Sequence, residues 1–335
     1  MFFWEKLQKP FFVLAPMADV TDAAFRRLIA RESAHTRSDG SYGGPDVTWT
    51  EFVSADGLVR ADAEGQKKLR ADLIYTEEER PIVAQLFSST PEYMEEAVRL
   101  AVSLGFDGVD INMGCPDSGI EKQGCGSAMI KNPKNAVAVI EAALRGADGK
   151  IPVSVKTRLG YNKDELEEWL PVLLGTGVSA VTIHCRTRKE MSKVPARWER
   201  IARAVEIRNE LGSTARIIGN GDALSLEDAK EKARVSGADG VMLGRAIFGN
   251  PWLFHPERDL SNVPLSERFR VLIEHTYLFE ELLPHKNFAI MKKHYKAYIN
   301  GFDGAKELRV ELMEAKDAAE VEKIANEFLG KTPLQ

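Results

Sequence analysis

One cysteine of the chain has neighbours that suit a reactive thiol. Cys115 lies between Gly114 and Pro116, two turn-forming residues that would expose its side chain. Nearby cations would lower the pKa of an exposed thiol, whereas burial as a small packing residue is the usual state of a cysteine. Both interpretations of Cys115 stay open on the residues alone. Cys185 is expected to be a packing residue. Cys125, between two glycines, is expected to pack as well, with a second exposed thiol as the alternative.

Residues that could line a binding site, most of them polar, also follow most of the short apolar runs in the sequence. They are Pro16, Met17, Glu51, Gln85, Asn112, Lys156, Arg158, His184, Arg186, Asn220, Asp222, Gly244 and Arg245. Cations and amides outnumber carboxylates in this set, which favours an anionic, hydrogen-bonding ligand over hydrolysis by paired carboxylates. The glycine-containing segments 220–222 and 244–246 are candidates for phosphate binding. No metal site is predicted, because the cysteines are far apart in sequence and His184 has no companion ligand.

The pattern of apolar runs predicts the elements that position these residues. Eight candidate strands alternate with helical patterns, and they span residues 11–15, 47–52, 82–87, 108–113, 153–158, 180–185, 216–221 and 240–245. Such continuous apolar runs are typical of parallel strands buried on both faces. We therefore predict an α/β fold, a (β/α)₈ TIM barrel that gathers the polar residues at the carboxyl ends of its strands. A doubly wound sheet is the alternative, but no GxGxxG follows the first run.

The remainder of the chain has a different pattern. From residue 264 to residue 330 the sequence predicts only amphipathic helices, broken near Pro284 and at 300–304. We predict a catalytic barrel domain over 1–255 and an all-α helical domain over 260–335. The segment 32–46, rich in serine and glycine, is expected to be a long exposed loop.

Charge excludes one way of binding nucleic acid. The 335 residues carry 45 Lys and Arg against 50 Asp and Glu, a net charge of −5, which argues against uniform coating of a polyanion. The segment 286–309 is locally basic and contains Lys292, Lys293 and Lys296. Its charged residues suit either a solvated helix face or a surface that follows phosphates, and the interleaved His294, Tyr295 and Tyr298 would supply stacking in the second case.

Targeting signals are not evident in the sequence. The cysteines form no CxxC pair, which fits a reducing compartment. The first residues lack the cationic and apolar regions of a secretory signal, and no apolar run reaches the length of a membrane span. A cytoplasmic location with no membrane partner is expected.

Several motifs occur together and in a fixed order. The segments are 15–26 (APMADVTDAAFR), 50–57 (TEFVSADG), 84–87 (AQLF), 110–116 (DINMGCP), 124–128 (GCGSA), 155–158 (VKTR), 183–187 (IHCRT), 219–222 (GNGD), 240–245 (GVMLGR), 294–298 (HYKAY) and 301–304 (GFDG). In these segments the sequence closely resembles the tRNA-dihydrouridine synthases. The resemblance covers nearly the full chain, and its most specific elements are NMGCP and HCRT.

This resemblance implies an FMN-dependent reduction of the C5–C6 double bond of a uridine in tRNA, with NADPH or NADH as reductant. It implies that Cys115 is the general acid and that Asn112, Arg158 and Arg186 lie near the substrate. Its implied cofactor residues are Pro16, Met17, Gln85, Lys156, His184, Asn220, Asp222, Gly244 and Arg245. The tRNA-binding residues that it suggests are Lys292, Lys293 and Lys296. A thiol that donates a proton must be protonated, so this role predicts that burial keeps Cys115 as the thiol.

Two rival functions remain open. One is an FMN-dependent enzyme acting on a free pyrimidine, similar to dihydroorotate dehydrogenase, which would not need the basic helical segment. The other is a flavin-less RNA-binding scaffold that keeps the fold. The chain is expected to be a monomer.

Overall fold

The structure is a computed structural model that describes residues 2–37 and 40–331, with only the backbone described at residue 331. The described chain forms two compact units. The first contains residues 2–18, 46–73 and 80–244, and the second contains residues 19–37, 40–45, 74–79 and 245–331. The second unit thus combines early segments of the chain with the C-terminal helices. The predicted domain boundary near residue 255 stays a prediction.

Eleven strands lie in the described part of the chain. They are β1 (Phe11–Leu14), β2 (His35–Thr36), β3 (Tyr42–Gly43), β4 (Thr48–Trp49), β5 (Val53–Ser54), β6 (Ile82–Phe87), β7 (Gly108–Asn112), β8 (Val153–Arg158), β9 (Ala180–His184), β10 (Arg216–Asn220) and β11 (Gly240–Leu243).

The first unit is a parallel barrel. Its strands pair in the order β1-β11-β10-β9-β8-β7-β6-β4, and β5 continues the line of β4 beside β6. Backbone hydrogen bonds from Leu14 N to Val47 O, 3.2 Å, and from Asp46 N to Phe12 O, 2.9 Å, join the two ends of the sheet. The predicted TIM-barrel fold is confirmed.

Fourteen α-helices accompany the strands over the described residues. They are α1 (Phe3–Lys6), α2 (Ala23–Glu32), α3 (Ala55–Arg60), α4 (Ala63–Ala71), α5 (Pro91–Ser103), α6 (Ser118–Lys122), α7 (Pro133–Ala147), α8 (Leu166–Leu174), α9 (Glu199–Glu210), α10 (Leu226–Ser236), α11 (Leu265–Leu282), α12 (Lys292–Tyr298), α13 (Ala305–Glu314) and α14 (Ala318–Lys331). In the searched part of the chain, none is long and apolar enough to cross a membrane.

Every second residue of a barrel strand points inward, and at the amino-terminal end these residues build an apolar core. Trp4 of α1 packs there against Phe11 and Trp49, with ring centroids 5.8 Å and 6.0 Å away. A Cβ at Gly240 would lie 2.2 Å from the Phe11 ring, so only glycine leaves room for that ring. The closed bottom leaves the opposite end of the barrel as the place for a site.

Two local expectations differ from the structure. The strand predicted over 47–52 is interrupted after Trp49, because the Thr50 hydroxyl replaces a ladder carbonyl and accepts from Gln85 N at 3.0 Å. Part of the predicted loop 32–46 is instead ordered: α2 continues to Glu32, and β2 and β3 form an antiparallel hairpin. Residues 38 and 39 of that prediction lie outside the described residues.

Candidate active site

The carboxyl ends of the barrel strands, which we call the rim, bring the predicted polar residues together. Register pairs Asn112 with Lys156, Arg158 with His184, and His184 with Asn220. Neighbouring strands are about 5 Å apart in a sheet. The structure therefore gathers residues from four strands at one rim, as the sequence predicted.

The loop after β7 is held tightly to the end of β8. The Asn112 Oδ1 atom accepts hydrogen bonds from Gly114 N at 3.1 Å and Cys115 N at 2.9 Å. A Cβ at Gly114 would lie 3.2 Å from the Thr157 backbone, so glycine permits this close approach. The Cys115 carbonyl in turn accepts from Ser127 N and Oγ, both at 2.9 Å. These contacts fix the backbone that carries the thiol.

Burial controls the protonation state of this thiol. Cys115 is half-buried, and desolvation raises its pKa above the ordinary value, while the backbone N–H of Asp117 and the charges of Lys156 and Arg158 oppose that shift more weakly. The protonated thiol therefore predominates at neutral pH. The cations do act to lower this pKa, as the sequence suggested, but burial outweighs them. The role of Cys115 as a general acid stays a prediction.

The other two cysteines are packing residues in this structure. Cys125 and Cys185 are buried, and burial raises their pKa to about 11 and about 12 respectively. Neither thiol would ionise near neutral pH, in agreement with the sequence analysis.

Lys156 is a half-buried cation at the rim. Burial, followed by repulsion from Arg158, lowers its pKa to about 8, and the charge of Asp110 only partly offsets this. Among residues 2–37 and 40–331 its ammonium group has no hydrogen-bond or ion-pair partner. Such a donor is available for an acceptor atom of a ligand.

Arg158 connects two loops of the rim. Its Nε donates to Gly114 O at 2.7 Å, and its Nη1 lies 3.3 Å from both Thr187 O and Met191 O and 3.4 Å from His184 Nδ1. Burial lowers its pKa to about 10, so it stays charged at neutral pH. Sequence reasoning did not find this bridging contact, and a substrate role for Arg158 stays a prediction.

A residue predicted to lie near the substrate and a residue predicted to bind the cofactor contact one another. Arg186 Nη2 pairs with Asp222, and Arg186 Nε donates to Val194 O at 2.5 Å. Asp222 also accepts from Ala196 N at 3.0 Å. Within the described part of the chain, Arg186 Nη1 is buried and has no hydrogen-bond partner, so one donor of this pair remains unused.

The predicted phosphate segment follows β10 and β11. Asn220 donates to Met242 O at 2.8 Å and thereby joins the ends of the two strands. A Cβ at Gly244 would lie 3.5 Å from both Ala15 Cβ and Met17 Sδ, which brings the segment after β1 beside the end of β11. Arg245 begins a short 3₁₀ turn in the second unit, and its predicted cofactor role is untested.

The sequence analysis missed Asp110, a carboxylate inside the barrel beneath the rim. Its Oδ1 accepts from Ser154 Oγ at 2.6 Å and its Oδ2 from Gln85 Nε2 at 2.7 Å, and burial raises its pKa to about 6. Gln85 Oε1 accepts from Asn112 Nδ2 at 3.2 Å. The signal in the sequence that could have identified it is an acidic residue between two apolar residues of a strand, Val109 and Ile111.

The helix α12 carries the predicted RNA-binding lysines. Lys296 is exposed, and Lys292 and Lys293 are half-buried. The predicted stacking surface is wrong, because His294, Tyr295 and Tyr298 are buried in the second unit and cannot face a solvent-borne ligand. No group of three potential metal ligands occurs among the residues searched in the described chain.

The fold and the rim define a TIM-barrel enzyme with its active site at the carboxyl ends of the strands. The barrel is similar to that of a solved 2-naphthoyl-CoA reductase in complex with 2-naphthoyl-CoA, with a TM-score of 0.50 and 12% identity over 72% of this chain and 49% of that one. This likeness concerns the fold alone.

Comparison of sequences gives the family. The model for dihydrouridine synthase matches residues 13–332. A probable tRNA-dihydrouridine synthase 2 of Bacillus subtilis (strain 168) is 39% identical over 333 residues, covering 98% of this chain and 97% of that protein. A probable tRNA-dihydrouridine synthase of Staphylococcus aureus (strain COL) is 38% identical, covering 97% and 95%. The chain belongs to the dihydrouridine synthase family and is an oxidoreductase enzyme.

Proposed function

We propose that this enzyme reduces the C5–C6 double bond of a uridine in tRNA to 5,6-dihydrouridine, with FMN as its bound cofactor and NADPH or NADH as reductant. Family membership and the names of the Bacillus and Staphylococcus relatives support the substrate. The observation that carries the mechanism is the half-buried position of Cys115 on a loop fixed at the rim, where burial raises the pKa of its thiol.

The donor set of the rim fits a flavin mononucleotide. Lys156 offers an ammonium group without a hydrogen-bond or ion-pair partner in the described chain. Flavin carbonyl oxygens and phosphate oxygens are acceptors for such groups. We propose Pro16, Met17, Lys156 and His184 for the ring and ribityl portions, and Asn220, Asp222 and Gly244 for the phosphate end. Gln85, which the resemblance placed at the flavin, is fully buried and its amide bonds Asp110 and Asn112, so it is not included.

The reaction needs a hydride at C6 and a proton at C5 of the uracil ring. FMN, once bound and reduced, supplies the hydride. Cys115 donates the proton from its thiol, which burial keeps protonated. Cationic donors such as Arg186 stabilise the negative charge that develops on the uracil carbonyls. Proton transfer leaves Cys115 as a thiolate, which the charges of Lys156 and Arg158 stabilise until it is reprotonated.

The test uses purified full-length protein, an unmodified tRNA transcript and either NADPH or NADH. We expect a yellow protein that forms dihydrouridine, measured by mass spectrometry of the digested RNA. The variant Cys115→Ala should keep its flavin and lose at least about a hundredfold in rate, as expected for removal of a general acid. Cys185→Ala, which changes a fully buried thiol, is the matched control and should retain activity.

The same assay separates the rival functions. Reduction of orotate or free uridine with no reaction of tRNA would favour the free-pyrimidine enzyme, and a colourless protein that binds tRNA would favour the flavin-less scaffold. Wild-type turnover by Cys115→Ala would remove the assigned acid. The cytoplasmic location and the monomeric state are proposals as well, and sedimentation of the purified protein tests the second.

A further inference from the structure

A buried carboxylate that the proposed mechanism does not use lies within the barrel. Asp110 exposes none of its surface to solvent. Burying a carboxylate is costly unless hydrogen bonds compensate for the lost water. Ser154 Oγ and Gln85 Nε2 donate to its two oxygens, at 2.6 Å and 2.7 Å. These hydrogen bonds compensate the carboxylate beneath the active site.

Asp110 fixes the orientation of the Gln85 amide. An ionised carboxylate only accepts hydrogen bonds, so the amide must turn its Nε2 group toward Asp110. The Gln85 carbonyl oxygen then faces Asn112, whose Nδ2 donates to it at 3.2 Å. Gln85 is fully buried, so water cannot substitute for either partner.

The hydrogen bonds of Asn112, at the other end of this series of side-chain amides, run in the same direction. Backbone N–H groups only donate, so Asn112 must turn its Oδ1 atom toward Gly114 N and Cys115 N. That orientation leaves Asn112 Nδ2 for Gln85. Carboxylate and backbone thus require the same orientation of both intervening amides, and a single arrangement satisfies every group.

We propose that Asp110 is a positioning residue that holds the Cys115 loop through the amide relay, which we define as Asp110, Gln85 and Asn112. This inference rests on the proposed function in that Cys115 is the acid whose position matters. Asp110 does not touch substrate or cofactor in this account. It acts on the thiol through two amides that hydrogen bonding keeps in one orientation.

The readout is the rate at which iodoacetamide alkylates Cys115 in the purified full-length protein, followed by peptide mass spectrometry. Asp110→Ala leaves Gln85 Nε2 without its acceptor. The amides of Gln85 and Asn112 can then reorient, and the loop that carries Cys115 becomes more mobile. Loss of one hydrogen bond corresponds to about a fivefold change in an equilibrium. We therefore expect Cys115 to react about fivefold faster, while the buried Cys125 and Cys185 stay unreactive.

Two conservative variants separate a relay from general destabilisation. Asp110→Asn should react like the wild type, because the new amide can accept from Gln85 with its oxygen and donate with its nitrogen to Ser154, whose hydroxyl also accepts. Ser154→Ala removes a hydrogen bond from the same carboxylate but leaves the relay intact. It should also leave the alkylation rate unchanged.

A variant in the middle of the relay covers the case in which Asp110→Ala fails to fold. Gln85→Met keeps a similar length and removes both polar ends, so Cys115 should again react about fivefold faster, by the same hydrogen-bond argument. Asp110→Ala combined with Gln85→Met should react no faster than either single variant, because both break one relay.

Several outcomes would overturn the inference. An unchanged rate in both Asp110→Ala and Gln85→Met would do so, as would equal acceleration by Ser154→Ala, or an Asp110→Asn variant that behaves like Asp110→Ala. Failure of the proposed function is a separate result: dihydrouridine formation at the wild-type rate by Cys115→Ala would remove the acid, while the alkylation rates would still decide whether the relay holds the loop.

Discussion

Lys156 shows how the barrel sets the chemistry of a single residue. Its alkyl chain lies on the inward face of β8, where burial removes water from the ammonium group, and Arg158 adds repulsion two residues further along the strand. Both effects disfavour the charged form and lower its pKa to about 8. The residue is still mostly charged at neutral pH and loses that charge under mildly alkaline conditions.

This titration predicts a pH dependence of flavin binding. The protonated form attracts an acceptor-rich ligand, so FMN affinity for the apoprotein should fall as pH rises through about 8, by up to about tenfold per pH unit above it. Flavin fluorescence titrations between neutral pH and about pH 9 would measure this change in FMN affinity. A lysine with an unperturbed pKa near 10.4 would give no such change in that range.

Two substitutions at Lys156 serve as controls for that dependence. Lys156→Arg should bind FMN with little change across the range, because guanidinium stays protonated. Lys156→Gln should bind more weakly and with no step near pH 8. An identical step in the Lys156→Gln protein would assign the titration to another group.

Position in the barrel made part of the site predictable from sequence. Asn112, Lys156 and His184 were recognisable because each lies at or near the end of an apolar run, and parallel strands bring those ends together. Asp110 was missed because its partners, Gln85 and Ser154, come from neighbouring strands 25 and 44 residues away in the chain. Its burial and hydrogen bonds exist only in the assembled sheet.

The apolar pattern of the sequence predicted secondary-structure elements correctly where burial of those elements produces the pattern. The predicted runs at 82–87 and 153–158 coincide with β6 and β8. Helix α4 was not predicted because none of its residues is buried, so it has no apolar stripe to detect. The spacing of His294, Tyr295 and Tyr298 among lysines suggested a surface, but all three side chains are buried within the second unit.

The second unit depends on a buried ion pair between helix α2 and the segment 74–79. Arg26 and Glu79 are both buried, with Arg26 Nε 2.8 Å from Glu79 Oε2. Arg26 also donates to Thr21 O at 2.9 Å and to Ile74 O at 2.6 Å. Removing one partner of such a pair leaves an uncompensated charge in the interior.

We therefore predict that Arg26→Met lowers the free energy of unfolding by about 3–5 kcal/mol, the usual cost of breaking a buried pair. Denaturant unfolding followed by circular dichroism measures this. Arg26→Met combined with Glu79→Leu should recover part of the loss, because no buried charge then remains unpaired. Arg203→Met, which breaks an exposed network with Glu167 and Glu210, should have little effect. Equal losses in the Arg26 and Arg203 variants would contradict this account.

The stability of the whole molecule should also depend on two buried histidines. His275 and His294 lie 4.6 Å apart between ring centroids, and Phe25 packs against both. Burial lowers the pKa of His294 to about 3 and that of His275 well below its ordinary value. Both are neutral in the folded protein and become protonated on unfolding at acidic pH.

The sign of the effect follows from proton binding. Below about pH 6.5 the unfolded chain binds a proton at each histidine and the folded chain does not, so stability falls as pH falls, by up to about 1.4 kcal/mol per pH unit for each residue. Asp110, with its raised pKa, contributes in the opposite direction near pH 6. We predict that His294→Phe reduces the slope of unfolding free energy against pH between about 5 and 6.5. An unchanged slope would mean that His294 is already protonated in the folded state.

The charge of the whole chain bears on how it binds tRNA. A protein with a net charge of −5 must place its phosphate contacts locally, and α12 carries lysines at 292 and 296 on one face, a turn apart. Neither has an ion-pair partner in the part of the chain that the structure describes. Unpaired lysines can release counterions from RNA without first breaking a protein contact.

We predict that Lys292→Glu with Lys296→Glu weakens tRNA binding several-fold at low salt and leaves the flavin content unchanged. If both lysines contact phosphates, the slope of log affinity against log salt should become shallower by about 2, because each contact releases close to one counterion. The matched control is Lys67→Glu with Lys230→Glu, two exposed lysines outside α12 that have no ion-pair partner among the described residues, which changes the net charge equally. Equal weakening by both pairs would indicate a general effect of net charge, whereas weakening by the α12 pair alone, with the shallower slope, would place α12 on the RNA.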